Sequence, residues 1–283
     1  MIALVVAASI FSFADAGKTD RIALAPAVDA AVAGAAVVVF VVPELFKKQF
    51  VPDHCTLCDG DDNSGLPGSG GRGSLNGVDA AVHDALTGFL LPRKTADTTS
   101  SVLAFVLLPA GTIAGALLAT GPHATDGAGL RATVVVLESA AVSAALTQGV
   151  KLVAARKRPF VRYGDGENGG TYDTVDRDSH QGFPSGHTAL ATSLGVSLAM
   201  TATLQESQAA PWLWGAAAAM SLTTASLRMI AEKHYFTDVA TGAVIGAACG
   251  VVFPLLHRRG GALSSGSVSF VAQGPAVALS GVF

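Results

Sequence analysis

Three short clusters in the second half of the chain carry residue types that do chemistry together: Lys151 to Pro159 (KLVAARKRP), Pro184 to His187 (PSGH) and Arg228 to Asp238 (RMIAEKHYFTD). Between them they offer the cations Lys151, Arg158 and Arg228, the histidines His187 and His234, the hydroxyl of Ser185 and the carboxylate of Asp238. Fixed cations and free backbone amides can hold a phosphate, and a histidine beside it can attack phosphorus or protonate a leaving oxygen. Lys151 and Arg158 stand seven residues apart, which on one helix puts them on one face about 10 Å apart. Pro159 is then expected to end that helix. Arg156 and Lys157 read as anchors that snorkel to an interface. PSGH opens an apolar stretch, so Ser185 and Gly186 fall near a helix N-terminus, where amides and dipole favour an anion. His187 can give a proton there, although Ser185 would serve equally as a plain N-cap. His234 and Asp238, four apart, suit a histidine held in one tautomer by a carboxylate, or a structural pair. Arg228 offers a bidentate guanidinium to phosphate oxygens.

The elements that must position these groups are apolar. Half of the 283 residues are hydrophobic, 14% are charged and mean hydropathy is +0.49, a membrane-protein composition. The formal net charge of -3, with no basic stripe interleaved with aromatics, argues against nucleic acid as a partner. Apolar stretches at 25–46, 101–119, 130–154, 188–204, 212–227 and 237–256 imply an all-α, membrane-embedded bundle of about five or six helices, with the clusters at one membrane face. Gly242, Gly246 and Gly250 share one helix face, as do Gly111 and Gly115, which permits close helix approach. Trp212 and Trp214 fit an aromatic belt.

Outside the bundle, residues 1–16 resemble a signal peptide or an uncleaved anchor. One domain is expected over 17–257, interrupted by a polar loop at 50–99. In that loop Cys55 and Cys58 favour a local disulfide over a zinc site, since the third cysteine, Cys249, lies in an apolar helix. His54, Asp59, Asp61 and Asp62 leave a metal reading of the loop open. Residues 79–91 suit a short amphipathic helix capping the bundle. The tail, 258–283, starts with Arg258 and Arg259 and alternates around Gly274 and Pro275 like a hairpin.

The combination K-x6-RP, PSGH and R-x5-H-x3-D, from Lys151 to Asp238, resembles the signature of the type 2 phosphatidic acid phosphatase superfamily, which also includes bacterial acid phosphatases and vanadium haloperoxidases. The chain departs from the pattern at Leu227, where the family often has serine. The resemblance implies that His234 forms a phosphohistidine, Asp238 orients it and His187 serves the leaving group and then water. It further implies that Lys151, Arg158, Ser185, Gly186 and Arg228 hold the phosphoryl oxygens, with no metal or other cofactor. Residues 160–183 become a candidate rim or lid, with His180 a solvated loop residue.

In a bilayer such a site suits a lipid phosphate or pyrophosphate, entering from the periplasmic side of a bacterial inner membrane. The alternatives are a soluble periplasmic acid phosphatase and a vanadate-dependent haloperoxidase. Nothing in the sequence reads the oligomeric state.

Overall fold

The computed structural model describes residues 21–52, 55–57, 76–86, 91–121, 126–163, 177–263, 267–273 and 276–282. The fold is an all-α membrane bundle. In chain order come α1 (Pro26–Leu45), α2 (Lys47–Phe50), α3 (Gly77–Leu86), α4 (Arg93–Val102), α5 (Leu108–Leu118), α6 (Ala128–Ala154), α7 (Pro159–Tyr163), α8 (Gly186–Leu204), α9 (Ala210–Ile230) and α10 (Phe236–His257). Two antiparallel strands follow, β1 (Ser267–Gln273) and β2 (Ala276–Val282), paired from Gln273 with Ala276 out to Ser267 with Val282. They flank Gly274 and Pro275, as the alternation implied. Among the described residues, four helical stretches are long and apolar enough to cross a membrane: Pro26–Leu45, Arg93–Leu118, Ala128–Val161 and Phe236–His257. The expectation of a leader at 1–16 and the metal reading of His54, Asp59, Asp61 and Asp62 lie outside the described residues.

Helix α8 is the hub, packed against α5, α6, α9 and α10. Its sequence, GHTALATSLGVSLAMTATL, is rich in small residues, so neighbouring backbones come close without leaving voids. Two of its hydroxyls bond inside the bundle: Thr201 donates to the Ser197 carbonyl at 2.7 Å, and Ser193 pairs with Ser139 on α6 at 2.9 Å. Leu194 and Leu198 meet Leu108, Val136 and Ala140 in the apolar core. The glycine stripe of α10 lies directly on α8. A Cβ on Gly242 would overlap the Ser185 carbonyl, one on Gly246 the Ala189 carbonyl, and one on Gly250 would come 2.8 Å from Val196. Gly111 differs, because nothing stands within 4 Å of its added Cβ.

Between α4 and α5 the helix widens into a π turn, Leu103–Leu107. Pro109 follows at the start of α5 and has no N–H to donate back to Phe105, so the α-helical ladder breaks where the wider turn sits. Trp212 is 83% exposed and Trp214 39%, at the start of α9, which matches a lipid-interface belt rather than a buried pair. The amphipathic segment expected at 79–91 is realised as α3, docked on α9 and α10. Cys55 is disulfide-bonded, Cys249 is a free buried thiol, and Cys58 lies outside the described residues.

Forcing a side chain between α10 and α8 should therefore be costly. Gly246→Val is expected to destabilise the detergent-solubilised protein by about 1–3 kcal/mol through overpacking, read as a lowered midpoint of thermal unfolding. Gly111→Ala should leave the midpoint unchanged or raise it.

Candidate active site

The first cluster is not one helix. Helix α6 ends at Ala154, and Ala155 takes a left-handed conformation, φ 43°, with its N–H on the Lys151 carbonyl. Residues 155–158 run without helix until Pro159 opens α7. The expectation that Lys151 and Arg158 share a helix face, with Pro159 as its terminator, is thus corrected. Proline is favoured as a helix's first residue and holds the residue before it extended, so Arg158 is excluded from a helix. The non-helical stretch pairs with the segment before PSGH: Arg158 N–H donates to the Ser179 carbonyl at 2.9 Å, and Gly182 N–H to the Arg156 carbonyl at 2.8 Å. A Cβ on Gly182 would stand 2.8 Å from the Arg156 oxygen and 2.9 Å from that of Lys157, so only glycine allows this approach.

A cavity of about 250 Å³ opens where these segments and His234 meet α1, α6 and α8. Lys151, Arg158, Gly186, His187 and His234 line it from all three clusters, with Asp178 and Glu44 among them. Lys151 lies close to Gly186, whose added Cβ would be 3.4 Å from Lys151 Nζ. Apolar walls come from Phe40, Phe105, Ala144 and Leu190. Phe105, in the π turn, meets the His187 ring edge-on at 4.8 Å between centroids, and His187 Nε2 lies 3.3 Å from Ser101 Oγ. Gln148 and Gln181 also face the cavity, and the Nε2 of each makes no hydrogen bond.

Ser185, Arg228 and Asp238 stand behind these lining residues. Ser185 is the N-cap of α8, its hydroxyl 3.0 Å from Thr188 Oγ1, and its N–H donates to the Asp238 carbonyl at 2.9 Å. The capping function weighed for Ser185 is therefore present. Arg228 is held by Asp97 and, at 3.2 Å, by Ser100 Oγ, while its buried Nε makes no hydrogen bond.

His234 donates from Nδ1 to the Gly182 carbonyl at 2.6 Å, which fixes the tautomer and leaves Nε2 bare. Asp238 Oδ2 is 3.8 Å from the same Nδ1 and accepts the Tyr235 N–H at 2.7 Å. Its other oxygen takes Arg156 Nη1 at 2.6 Å. Arg156, expected to snorkel, is instead buried, because α3 brings a carboxylate over it: Nη2 reaches Asp79 at 2.9 Å, and the guanidinium lies over the Tyr235 ring at 4.5 Å. Asp79 also accepts Thr237 N–H at 2.8 Å and Thr237 Oγ1 at 2.7 Å. Nothing local to Asp79 announced these contacts, since Arg156 and Thr237 lie more than seventy residues away. His180 is buried as well, next to Ser179 Oγ at 3.2 Å, not solvated as expected.

Charge sets the protonation of these groups. Burial, and then the positive charges of Arg158, Arg228 and Lys151, hold the His234 imidazole well below its ordinary value, so the ring is neutral at physiological pH. Burial alone would push the Asp178 carboxyl up, but Arg158, Lys47, Lys151 and Lys233 outweigh it and bring it to about 2. Arg158 Nη2 lies 3.1 Å and Lys47 Nζ 3.5 Å from Asp178 Oδ1. Burial likewise opposes ionisation of Asp79, and hydrogen bonds from Thr237, Arg156 and Asn76 still hold it below the usual carboxylate range.

Residues 132–261 match the model of the PAP2 superfamily, so this stretch, which holds all three clusters, belongs to that type 2 phosphatidic acid phosphatase superfamily. The match covers the cavity-lining parts of α6 and α8 together with Arg158 and His234, and implies phosphoryl-hydrolase activity. No curated protein and no solved structure shows a significant match to the chain.

The chain of contacts from Asp79 through Arg156 to Asp238 predicts that Asp79→Asn and Arg156→Lys lower kcat for nitrophenyl phosphate by about 10- to 100-fold, the scale on which supporting partners tune a site, with KM nearly unchanged. A rise in KM at constant kcat would show that these residues do not act through Asp238 and His234.

Proposed function

We propose that the protein hydrolyses lipid phosphates or pyrophosphates without a metal, through a phosphohistidine on His234. The observation that carries this reading is the cavity itself, where two histidines, two cations and the N-terminus of α8 face one another beneath the apolar side chains of membrane helices. His234 Nε2 attacks phosphorus as the ester oxygen leaves. His187, held at about 2 in the free protein by burial and then by Arg228, Lys151 and Arg158, takes up a proton as the substrate's negative charge offsets those cations, and gives it to that oxygen. His187 then takes a proton from water, which attacks the phosphohistidine, releases inorganic phosphate and restores the imidazole. Lys151, Arg158 and the Gly186 amide neutralise the three equatorial oxygens, Arg228 adds charge from behind, and Ser185 fixes the start of α8. Asp238 steadies His234 across 3.8 Å while the Gly182 carbonyl sets its tautomer.

The apolar walls support a lipid substrate. Phe105 lines the cavity and is 53% exposed on the outside of the bundle, so a tail can lie against it in the bilayer while the head group sits below. The unpaired amides of Gln148 and Gln181 are donors suited to the polar linkage or to a second phosphate. The disulfide at Cys55 supports a site facing away from the cytoplasm: Leu57, two residues on, bonds the Ala154 carbonyl at the cavity end of α6, and such bonds persist in oxidising compartments. Arg258 and Arg259, at the opposite end of α10, fit the cytoplasmic side.

Purified protein in detergent and EDTA should release phosphate from members of a panel of lipid phosphates, lipid pyrophosphates and soluble esters, and His234→Ala should release none. Turnover by that variant, or none by the wild type, would overturn the reading. His187→Ala should lose more activity on a lipid alcohol ester than on nitrophenyl phosphate, whose leaving group needs no proton. Equal losses would contradict its role as acid. In ring NMR, the His234 resonances, assigned by their absence in His234→Ala, should show no protonation step as pH falls through about 6.5, where an unperturbed histidine titrates.

A further inference from the structure

The half of the bundle away from the cavity holds ionisable side chains that the proposed chemistry does not use. Asp29 on α1, Glu138 in α6 and His257 at the end of α10 are 4%, 3% and 0% exposed. Glu138 precedes Lys151 by 13 residues on one helix, about 20 Å at 1.5 Å per residue. His257 follows Asp238 by 19 residues along α10, about 28 Å on the same scale.

Their geometry leaves one group unsatisfied. His257 Nδ1 donates to the Phe253 carbonyl at 2.9 Å, which turns Nε2 toward both carboxylates. Nε2 lies 3.1 Å from Asp29 Oδ1 and 3.2 Å from Glu138 Oε2. The second oxygen of Asp29 accepts the Ala25 N–H at 2.9 Å. One Nε2–H can serve a single carboxylate, and the hydrogen bond goes to Asp29. Both oxygens of Glu138 are buried without a hydrogen bond, and His257 is its ion-pair partner among the described residues. Even an imidazolium would leave two carboxylates with a net negative charge inside an apolar bundle, an expensive arrangement.

We propose that Asp29, Glu138 and His257 bind one divalent transition-metal ion of the zinc, cobalt or manganese class. A doubly charged ion neutralises both carboxylates and gives Glu138 the partner it lacks. One imidazole nitrogen and two carboxylate oxygens are a common donor set for these metals. Ligand atoms of the three residues lie within 4.8 Å of one another. The 3.1 and 3.2 Å separations approach the edge of roughly 3.3 Å between ligands bonded at 2.0–2.1 Å to a tetrahedral ion. The Nδ1–H bond to a backbone carbonyl is the support that metal-bound histidines usually have. Because the residues come from α1, α6 and α10, the ion ties three helices together at the end opposite the cavity. This site is independent of the phosphatase reading.

The test is metal loading of the full-length protein in detergent. After incubation with zinc or cobalt and gel filtration, the wild type and His234→Ala should each retain about one ion per chain by mass spectrometry of the metal. Glu138→Gln and His257→Gln should retain none. Glu138→Gln is nearly isosteric, so its fold is checked by its metal-free unfolding midpoint, which should match or exceed that of the wild type. Zinc should then raise the wild-type midpoint and leave Glu138→Gln unmoved. No retained metal in the wild type, equal retention in the variants, loss in His234→Ala, or equal zinc shifts would each overturn the proposal.

Discussion

The structure depends on holding several cations together at the mouth of an apolar bundle. Lys151, Arg158 and Arg228 repel one another in a medium that screens charge poorly, and no fold keeps such a group without opposing charge. Each arginine at the cavity is met by a carboxylate: Arg158 by Asp178, Arg228 by Asp97, and Arg156 by both Asp238 and Asp79. These carboxylates come from elements far apart in the chain, including α3, α4 and the short turn before PSGH. Balancing the charge therefore also draws the extramembrane segments onto the bundle. Burial, and then the same positive field, keeps His234 neutral, the form in which an imidazole is a nucleophile.

Much of this was legible in the sequence, for identifiable reasons. Apolar stretches at spanning length located the helices, and the small-residue face of α10 showed where it would meet a neighbour. The PSGH motif marked the start of α8, but His234 and Asp238 share no helix face: His234 precedes α10 by two residues, and its tautomer is set by the Gly182 carbonyl and not by Asp238. What escaped was non-local or conformational. Arg156 looked like an interfacial anchor because its partner Asp79 lies on a separate helix. Lys151 and Arg158 were read on one helix because periodicity alone does not show the left-handed turn at Ala155 that separates them. Gly182 joins two strands of backbone and accepts the His234 proton through its carbonyl, a role no side chain announces.

The cavity end and the middle of the bundle are built on different physics. At the cavity end, the Nε of Arg228 and the amide nitrogens of Gln148 and Gln181 are buried without a hydrogen-bond partner. Along the middle, α8 gives rigidity through close contact of small side chains, so the starts of α8 and α10 are held in register by the Ser185 to Asp238 backbone bond. Rigid placement matters here, since a phosphoryl group has to meet an attacking nitrogen on one side and a proton donor on the other.

The most direct test of the central claim is to trap the covalent intermediate. Wild-type protein mixed with a phosphate-labelled lipid substrate, quenched rapidly under alkaline conditions and digested, should yield one acid-labile phosphopeptide containing His234. A label on His187, or steady turnover with no labelled protein at any quench time, would contradict the account.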